Sequence, residues 1–318
     1  MNYILNKQND FRYSLVTMGT FDGVHLGHQS LLKRLVQRAR ESRGESVVIT
    51  YLHHPLETIH RMTFPYLLTE HNVKERLLRE LGVDNILYLD FSSELADMEP
   101  LDFLQSIILG EVKARELVVG YDTHFGHNRE GNKAFLEQHK QELGYRLEIV
   151  KPFTIDNRIV SSSVIRDLIR EGNMQETERL LGRRYSLSGR VVSGHKIGRG
   201  IGFPTINIQP AEPNKLIPAI GVYITTLLVD GGEYRGITNI GYSPSLKRTR
   251  IQEIEMHIFD FKGNLYNCEL EIFFHLRLRN EFQFATRQEL INQINLDTQA
   301  AREYFTRQKQ PGSEIPRG

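Results

Sequence analysis

Through about residue 150, apolar runs of strand length alternate with amphipathic runs of helix length. Tyr13 to Met18 is followed by Ser30 to Arg43, Val47 to Leu52 by Asn72 to Leu81, and Ile86 to Phe91 by Leu101 to Leu109. Leu117 to Val119, Asn132 to Leu143 and Leu147 to Val150 complete the series. The strand runs are nearly continuous in apolar residues, whereas Leu31, Leu32, Leu35, Val36 and Ala39 recur at helical spacing. This alternation predicts a doubly wound α/β layer, a parallel sheet with helices on both faces and ligands bound beyond the carboxyl ends of its strands. Asn72 reads as the N-cap of the helix Val73 to Leu81, with Gly82 as its stop, and Gly144 ends the helix that precedes it.

A short helix, Met174 to Leu181, leads to a change of pattern. From Ser186 the runs are of β type: Ser186 to Val192, Val222 to Val229, Tyr234 to Ile240, Ile254 to Phe261 and Cys268 to Leu276. Glycine, proline, asparagine and aspartate turns separate them, among them Asp230-Gly231-Gly232 and Lys262-Gly263-Asn264. Short strands in series without intervening helices predict an antiparallel β-barrel, closed by two helical segments, Arg287 to Ile294 and Leu296 to Gln308. The predicted organisation is an α/β domain over residues 1–183, a β domain over 184–310 and a disordered tail over 311–318.

Composition narrows the class. At 318 residues with 40% hydrophobic content, the chain holds core enough for two domains. No apolar run approaches a membrane span, and the first ten residues lack a charged-then-apolar leader pattern. The single cysteine, Cys268, excludes an internal disulfide framework and fits a reducing, cytoplasmic setting. Residues 1–183 carry 23 basic and 26 acidic side chains and the remainder 17 and 13, so neither half presents a nucleic-acid surface. The densest basic cluster, Lys247-Arg248-Thr249-Arg250, reads as a solvated turn.

Candidate chemistry gathers at four places. The first is the turn after the opening strand, Gly19-Thr-Phe21-Asp-Gly23-Val-His25-Leu-Gly27-His28, where glycines allow close backbone approach and a helix begins near Gly27. A helix N-terminus offers unpaired N–H groups and partial positive charge, a seat for phosphate, and His25 and His28 stand one turn apart at that seat. A phosphate clamp is the preferred reading; a packed histidine pair and a zinc site are the alternatives. The second place is the rim formed by His53-His54-Pro55 and by Gly120 to Gly131, which includes His124-Phe-Gly-His127. With His25 and His28 these make six rim histidines, better read as polar loop residues than as a zinc site.

The third is Ser161-Ser162-Ser163-Val-Ile-Arg166, hydroxyls and a guanidinium at a helix start. It can be a simple cap or a second anion seat suited to a triphosphate. The fourth is the glycine-dense Gly189 to Asn207, with Gly194, Gly198, Gly200 and Gly202 before Phe203-Pro204-Thr205-Ile-Asn207. On spacing alone those glycines can be turns and bulges of a β domain.

The first motif resembles the HxGH nucleotidyltransferase signature in the form carried by bacterial bifunctional riboflavin kinase/FMN adenylyltransferases, the FAD synthetases, and Ser161 to Arg166 is similar to the Ser-Ser-Thr-x-x-Arg element of the same enzymes. Gly194 to Asn207 resembles the riboflavin kinase signature, and Gly236 to Pro244, Ile254 to Asp260 and Leu276 to Phe284 continue the likeness, with Gln283 where lysine is common. The likeness runs from about residue 13 to 305. It departs from the family at Leu52, His53, Thr123 and His124.

The resemblance implies two transfers from ATP: phosphorylation of riboflavin to FMN, with ADP released, in the C-terminal domain, and adenylylation of FMN to FAD, with pyrophosphate released, in the N-terminal one. It implies Glu255 as the base for the riboflavin 5′-hydroxyl, His25, His28 and Arg166 as adenylyl-transfer residues, and Thr205 and Asn207 as ligands of magnesium, the implied cofactor. Gly19, Phe21, Gly23, Gly27, Ser161, Ser162, Ser163, Gly194, Lys196, Gly198 and Gly202 are then expected at the nucleotides, and His54, Pro55, Asp122, Phe125, Arg279 and Phe284 at the flavin. No nucleic-acid or membrane partner is implied, and the chain is expected to be a monomer or weak homo-oligomer. The alternatives are a kinase whose first domain has degraded and a non-enzymatic flavin-binding module.

Overall fold

The computed structural model describes residues 3–5, 13–52, 66–193, 202–242 and 252–308. His53, His54, Pro55, Gly194, Lys196, Gly198, the Lys247–Arg250 cluster and the 311–318 tail lie outside the described residues. The chain divides into two compact units, Met1–Val164 and Ile165–Gly318.

The first unit is built on a six-stranded sheet. Its strands are β1 (Tyr3–Leu5), β2 (Ser14–Met18), β3 (Glu45–Tyr51), β4 (Asn85–Leu89), β5 (Ala114–Gly120) and β6 (Arg146–Val150), in the order β1-β4-β3-β2-β5-β6. All neighbours are parallel except β1, which pairs antiparallel with β4 at one edge and has no counterpart in the hydrophobic pattern. Successive strand residues point to opposite faces, so each strand feeds two cores. Leu15, Val48, Ile86 and Val118 face α1 (Leu26–Ser42) and α2 (His71–Glu80) through Leu32, Leu35, Val36 and Leu78. Val16, Val47, Leu87, Leu117 and Val119 meet Phe103, Leu104, Ile108 and Leu136 on the other side.

Several local expectations change. The N-cap of α2 is Glu70, and Asn72 lies inside the helix, its side-chain oxygen accepting the Val73 N–H at 2.8 Å. The predicted helix Leu101 to Leu109 is an α-turn, Pro100–Asp102, that opens into a π-helix, Phe103–Glu111. The wider turn lets the adjacent pairs Phe103–Leu104 and Ile107–Ile108 all be buried. Asn132 caps α3 (Lys133–Leu143) by accepting from Ala134 and Phe135, and Gly144 ends that helix at φ +71°.

The second unit takes in most of α4 (Ser162–Glu171), α5 (Met174–Leu181) and a closed antiparallel barrel. The barrel strands are β7 (Tyr185–Val192), β8 (Thr205–Pro210), β9 (Gly221–Val229), β10 (Gly232–Tyr242), β11 (Gln252–Ile258) and β12 (Glu269–Arg279), closing in the order β7-β8-β11-β10-β9-β12. β8 is a strand the pattern did not single out, because its polar alternation follows directly on a glycine-rich loop. Tyr185, Tyr223, Phe274 and Met256 are buried in the barrel wall, with ring centroids of Tyr223 and Phe274 5.5 Å apart at 87°.

The two predicted C-terminal helical segments are one helix, α6 (Arg287–Gln308). Asn295 bonds back to the Ile291 carbonyl within an unbroken helix. Ala301 and Phe305 of α6 pack on Val222, Ile224 and Ile237 of the barrel.

Candidate functional site

In the first unit the candidate residues sit where β2 runs into α1. Phe21 (φ +49°), Gly23 (φ +92°) and Val24 (φ +39°) hold a left-handed turn, closed by Val24 N–H donating to the Phe21 carbonyl at 3.1 Å. Non-glycine residues in that region cost on the order of 1–3 kcal/mol each. Burial of the Phe21 and Val24 side chains, 2% and 1% exposed, offsets that cost.

His25 is the N-cap of α1: its Nδ1 accepts the His28 N–H at 3.3 Å. A ring nitrogen that accepts carries no proton, so the cap selects the tautomer with its donor at Nε2. The His25 and His28 rings stack at 3.6 Å and 18°, and His28 meets the edge of Phe21 at 5.3 Å. Gly27 packs closely here: a Cβ would stand 3.1 Å from the His25 ring and 3.2 Å from the Val160 carbonyl oxygen, so either neighbour would have to give by a few tenths of an ångström.

Asp22, which the sequence placed inside the motif without a role, is 3% exposed. Its carboxylate accepts from Leu68 N–H at 2.9 Å and Thr69 N–H at 3.1 Å, and its carbonyl accepts from the Ser162 hydroxyl at 2.9 Å. The start of α4 is thereby fastened to the histidine turn. Ser161 accepts the Val164 N–H at 3.5 Å, the capping role read from the sequence. Arg166 lies one turn further along α4 and is buried.

Around the rim, Asp122 is exposed and Phe125 is core, 4% exposed between Phe103 and Phe135. His124 donates to the Arg129 carbonyl, and His127 lies 3.4 Å from the Ala96 carbonyl and 3.8 Å from Asp97. Among the described residues, no group of three His, Cys, Asp or Glu side chains is arranged to hold a metal ion.

In the second unit the site is written in strand register. Across β8, β11 and β10, Asn207 stands opposite Glu255 and Glu255 opposite Asn239; two residues on, Thr205 stands opposite His257 and His257 opposite Ile237. Directly opposed residues of an antiparallel pair share a face, as do residues two apart on one strand. This is the outer face, since the alternate residues Ile254, Met256 and Ile258 are buried.

A cavity of about 300 Å³ lies over that face, between the barrel and α6. Thr205, Asn239, Glu255 and His257 line its floor, and Phe203, Phe282, Phe284 and Ile294 line its walls. Thr205 also borders a second cavity of about 130 Å³ with Val191, Pro204, Ile206, Phe261 and Tyr266. Arg279 lies over the Phe282 ring at 4.5 Å and the Phe284 ring at 5.9 Å, and grips Asp297 of α6 through Nε and Nη2 at 2.8–3.1 Å. Gln293 donates to the same carboxylate.

Five predicted residues, Glu255, Thr205, Asn207, Arg279 and Phe284, therefore meet on one wall or its cavity, and Gly202 (φ +90°) makes the turn into it. Asn239, Glu281, Phe282 and Asp297 join them without having been singled out. Their only signal was an acid at a buried position of α6 and aromatics beside Arg279. A hydroxyl and an amide oxygen on one face, Thr205 and Asn207, with the Glu255 carboxylate opposite Asn207, form an oxygen donor set suited to a hard cation such as magnesium.

Comparison with known proteins agrees with this division. Residues 7–164 match the family model for FAD synthetase and residues 181–305 that for riboflavin kinase. The bifunctional riboflavin kinase/FMN adenylyltransferase of Pseudomonas fluorescens is 35% identical over 93% of this chain and 94% of its own length. That of Escherichia coli K12 is 34% identical over 92% of each. A solved structure described as a macrolide-efflux protein from Streptococcus pneumoniae superposes with a TM-score of 0.84 at 28% identity, covering 92% of this chain and 96% of that one. Among the described residues no helix is long and apolar enough to cross a membrane. By both family models and by full-length likeness to these relatives, the chain belongs to the bifunctional riboflavin kinase/FMN adenylyltransferase family.

Proposed function

We propose that the chain makes FMN from riboflavin on the barrel and FAD from FMN in the α/β unit, with ATP as donor in both reactions. The observation that carries the first half is the register Thr205–His257 and Asn207–Glu255, which sets a carboxylate and two oxygen donors on one wall with Thr205 bordering both cavities. The larger cavity takes the flavin against Phe282, Phe284 and Arg279, and the smaller takes the nucleotide. Glu255 accepts the proton of the riboflavin 5′-hydroxyl; that oxygen bonds to the γ-phosphorus of ATP, the bond to the β-phosphate oxygen breaks, and ADP leaves. Thr205 and Asn207 would hold magnesium, which supplies charge neutralisation on the phosphates.

In the α/β unit an FMN phosphate oxygen attacks the α-phosphorus of ATP and pyrophosphate leaves. That nucleophile is already an anion, so catalysis rests on positioning and on donors aimed at developing charge. His25, held with its donor at Nε2, His28 and the start of α4 serve this role, and Arg166 is assigned to the same reaction by family resemblance alone. His54, Pro55 and Asp122 are assigned to the flavin, and Gly194, Lys196 and Gly198 to the kinase nucleotide, by family resemblance alone. A single cysteine, Cys268, suits work in a reducing cytoplasm.

The test is chromatographic. Riboflavin, ATP and magnesium should yield FMN and then FAD, and FMN with ATP should yield FAD directly. Absence of FMN from the first mixture overturns the kinase half, and absence of FAD from the second overturns the adenylylation half.

A further inference from the structure

His257 belongs to the motif that supplies Glu255, yet the chemistry above gives it nothing to do. It is half-buried, two residues from Glu255 on the same face of β11 and opposite Thr205 on β8. Its Nδ1–H donates to the Pro204 carbonyl at 2.9 Å, and its ring takes the Phe203 ring edge-on at 5.4 Å and 78°. One side chain thus holds both the backbone and the aromatic ring of the bend that immediately precedes Thr205. Phe203 and Thr205 line the larger cavity, and Pro204 and Thr205 the smaller one.

The backbone of His257 is fixed from the opposite side as well. A Cβ on Gly236 of β10 would run into the His257 carbonyl oxygen and stand 2.7 Å from the Met256 side chain, so β10 lies hard against β11 at this point. Phe259 N–H, two residues on, donates to the Arg235 carbonyl at 2.8 Å. The imidazole therefore works from a rigid strand upon a loop end that follows the glycine-rich stretch.

We propose that His257 is a positioning residue of the kinase site: it tethers the Phe203–Pro204 bend, and through it keeps the Thr205 hydroxyl in line with Asn207 and Glu255 where the phosphoryl group is transferred. The proposal rests on the kinase reading for its consequence and on the Pro204 contact alone for its mechanism. The bond uses the Nδ1 proton, which neutral and protonated imidazole can both provide, so the tether persists whether or not the ring is charged.

Two amide substitutions separate tether from chemistry. In His257→Asn the side-chain nitrogen falls near the place of Nδ1 and can still reach the Pro204 carbonyl; in His257→Gln the nitrogen falls near Nε2 and cannot. Steady-state rates of FMN formation, the rate of FAD formation from FMN, the melting temperature, and backbone hydrogen exchange over residues 202–210 would be measured on the full chain, with His257→Ala as the third variant.

The expected result is a fall in kinase kcat on the order of 10²-fold in the Ala and Gln variants, the cost of misplacing a reacting group by about 1 Å, with KM for riboflavin unchanged. Exchange over 202–210 should rise in the same two variants, both readouts should recover in the Asn variant, and FAD formation from FMN should stay level. Exchange that does not rise in the Ala variant overturns the tether, whatever the activity. Recovery in Gln but not in Asn overturns it in favour of direct chemistry at Nε2. A drop in melting temperature that accounts for the lost rate reduces His257 to a structural residue and equally overturns it. If the unaltered chain forms no FMN, the kinase reading fails, while the exchange comparison still decides the tether.

Discussion

The candidate sites of the two units are built in opposite ways. In the α/β unit the candidate site is a turn: its atoms are placed by three departures from ordinary backbone conformation, at Phe21, Gly23 and Val24, by a histidine that caps a helix, and by Asp22 gripping Leu68 and Thr69. In the barrel the site is a wall: Asn207, Glu255 and Asn239 are aligned because three strands pair in one register. A turn can bring a backbone N–H close to a ligand but must be held by contacts with distant chain. A wall needs no special dihedral angles, and its precision comes from the same hydrogen bonds that hold the barrel. Damage should therefore stay local in the wall and spread in the turn.

That contrast can be broken most severely at Glu255. Replacing it with glutamine removes the proposed proton acceptor without disturbing the ladder, and FMN formation should fall by about 10²- to 10⁴-fold while FAD is still made from FMN. If both reactions fall together, the two sites are not independent.

Next in size is Asp297, 4% exposed and clasped by Arg279 beside the cavity between the barrel and α6. Asp297→Ala leaves a guanidinium in a largely buried place without its carboxylate. Chemical denaturation should show the barrel transition weakened by about 3–5 kcal/mol. An unchanged transition would mean that α6 is not held by this pair.

In the turn, His28→Ala should lower adenylylation by about 10²- to 10³-fold, as expected for losing one donor to developing charge, and should leave FMN formation intact. Adenylylation at the parental rate would remove His28 from the mechanism.

The gentlest change per step is a pH limb. His275 lies under α6 against Tyr304 and Phe305, its Nε2 bonded to the Thr226 hydroxyl at 3.1 Å and its Nδ1 buried. Burial, with lesser repulsion from Arg184 and Arg235, lowers its pKa from 6.5 to about 3. The unfolded chain therefore binds the proton more readily than the folded one between those values. Its contribution is whole above pH 6.5 and is lost as the pH falls towards 3, by up to about 1.4 kcal/mol per pH unit. His275→Gln, which can keep the Thr226 bond, should flatten that limb in barrel stability measured against pH, and an unaltered slope would place the acid sensitivity elsewhere.

What could be read beforehand follows the same division. Periodicity sufficed for the parallel sheet, for α5 at its observed bounds and for five of the six barrel strands, because burial of one face writes itself into local sequence. It missed β8, whose residues alternate but sit behind a glycine-rich loop, and β1, whose three residues are held by β4 more than 80 positions away. The spacings Thr205-x-Asn207 and Glu255-x-His257 were visible as motifs; that they interlock was not, since register is a property of pairing. Asp22, His257 and Asp297 were overlooked for one reason: each acts on a partner 18 to 53 residues away along the chain. A local pattern carries no trace of such a meeting.

The wall that α6 gives to the cavity over the barrel also fixes a timetable. Leu290, Ile294 and Asp297 close the cavity, whereas the first unit is compact by Val164. On a translating ribosome the first unit can therefore be complete while the barrel still lacks its outer wall, and the cavity proposed for riboflavin stays open until residue 297 has left the exit tunnel.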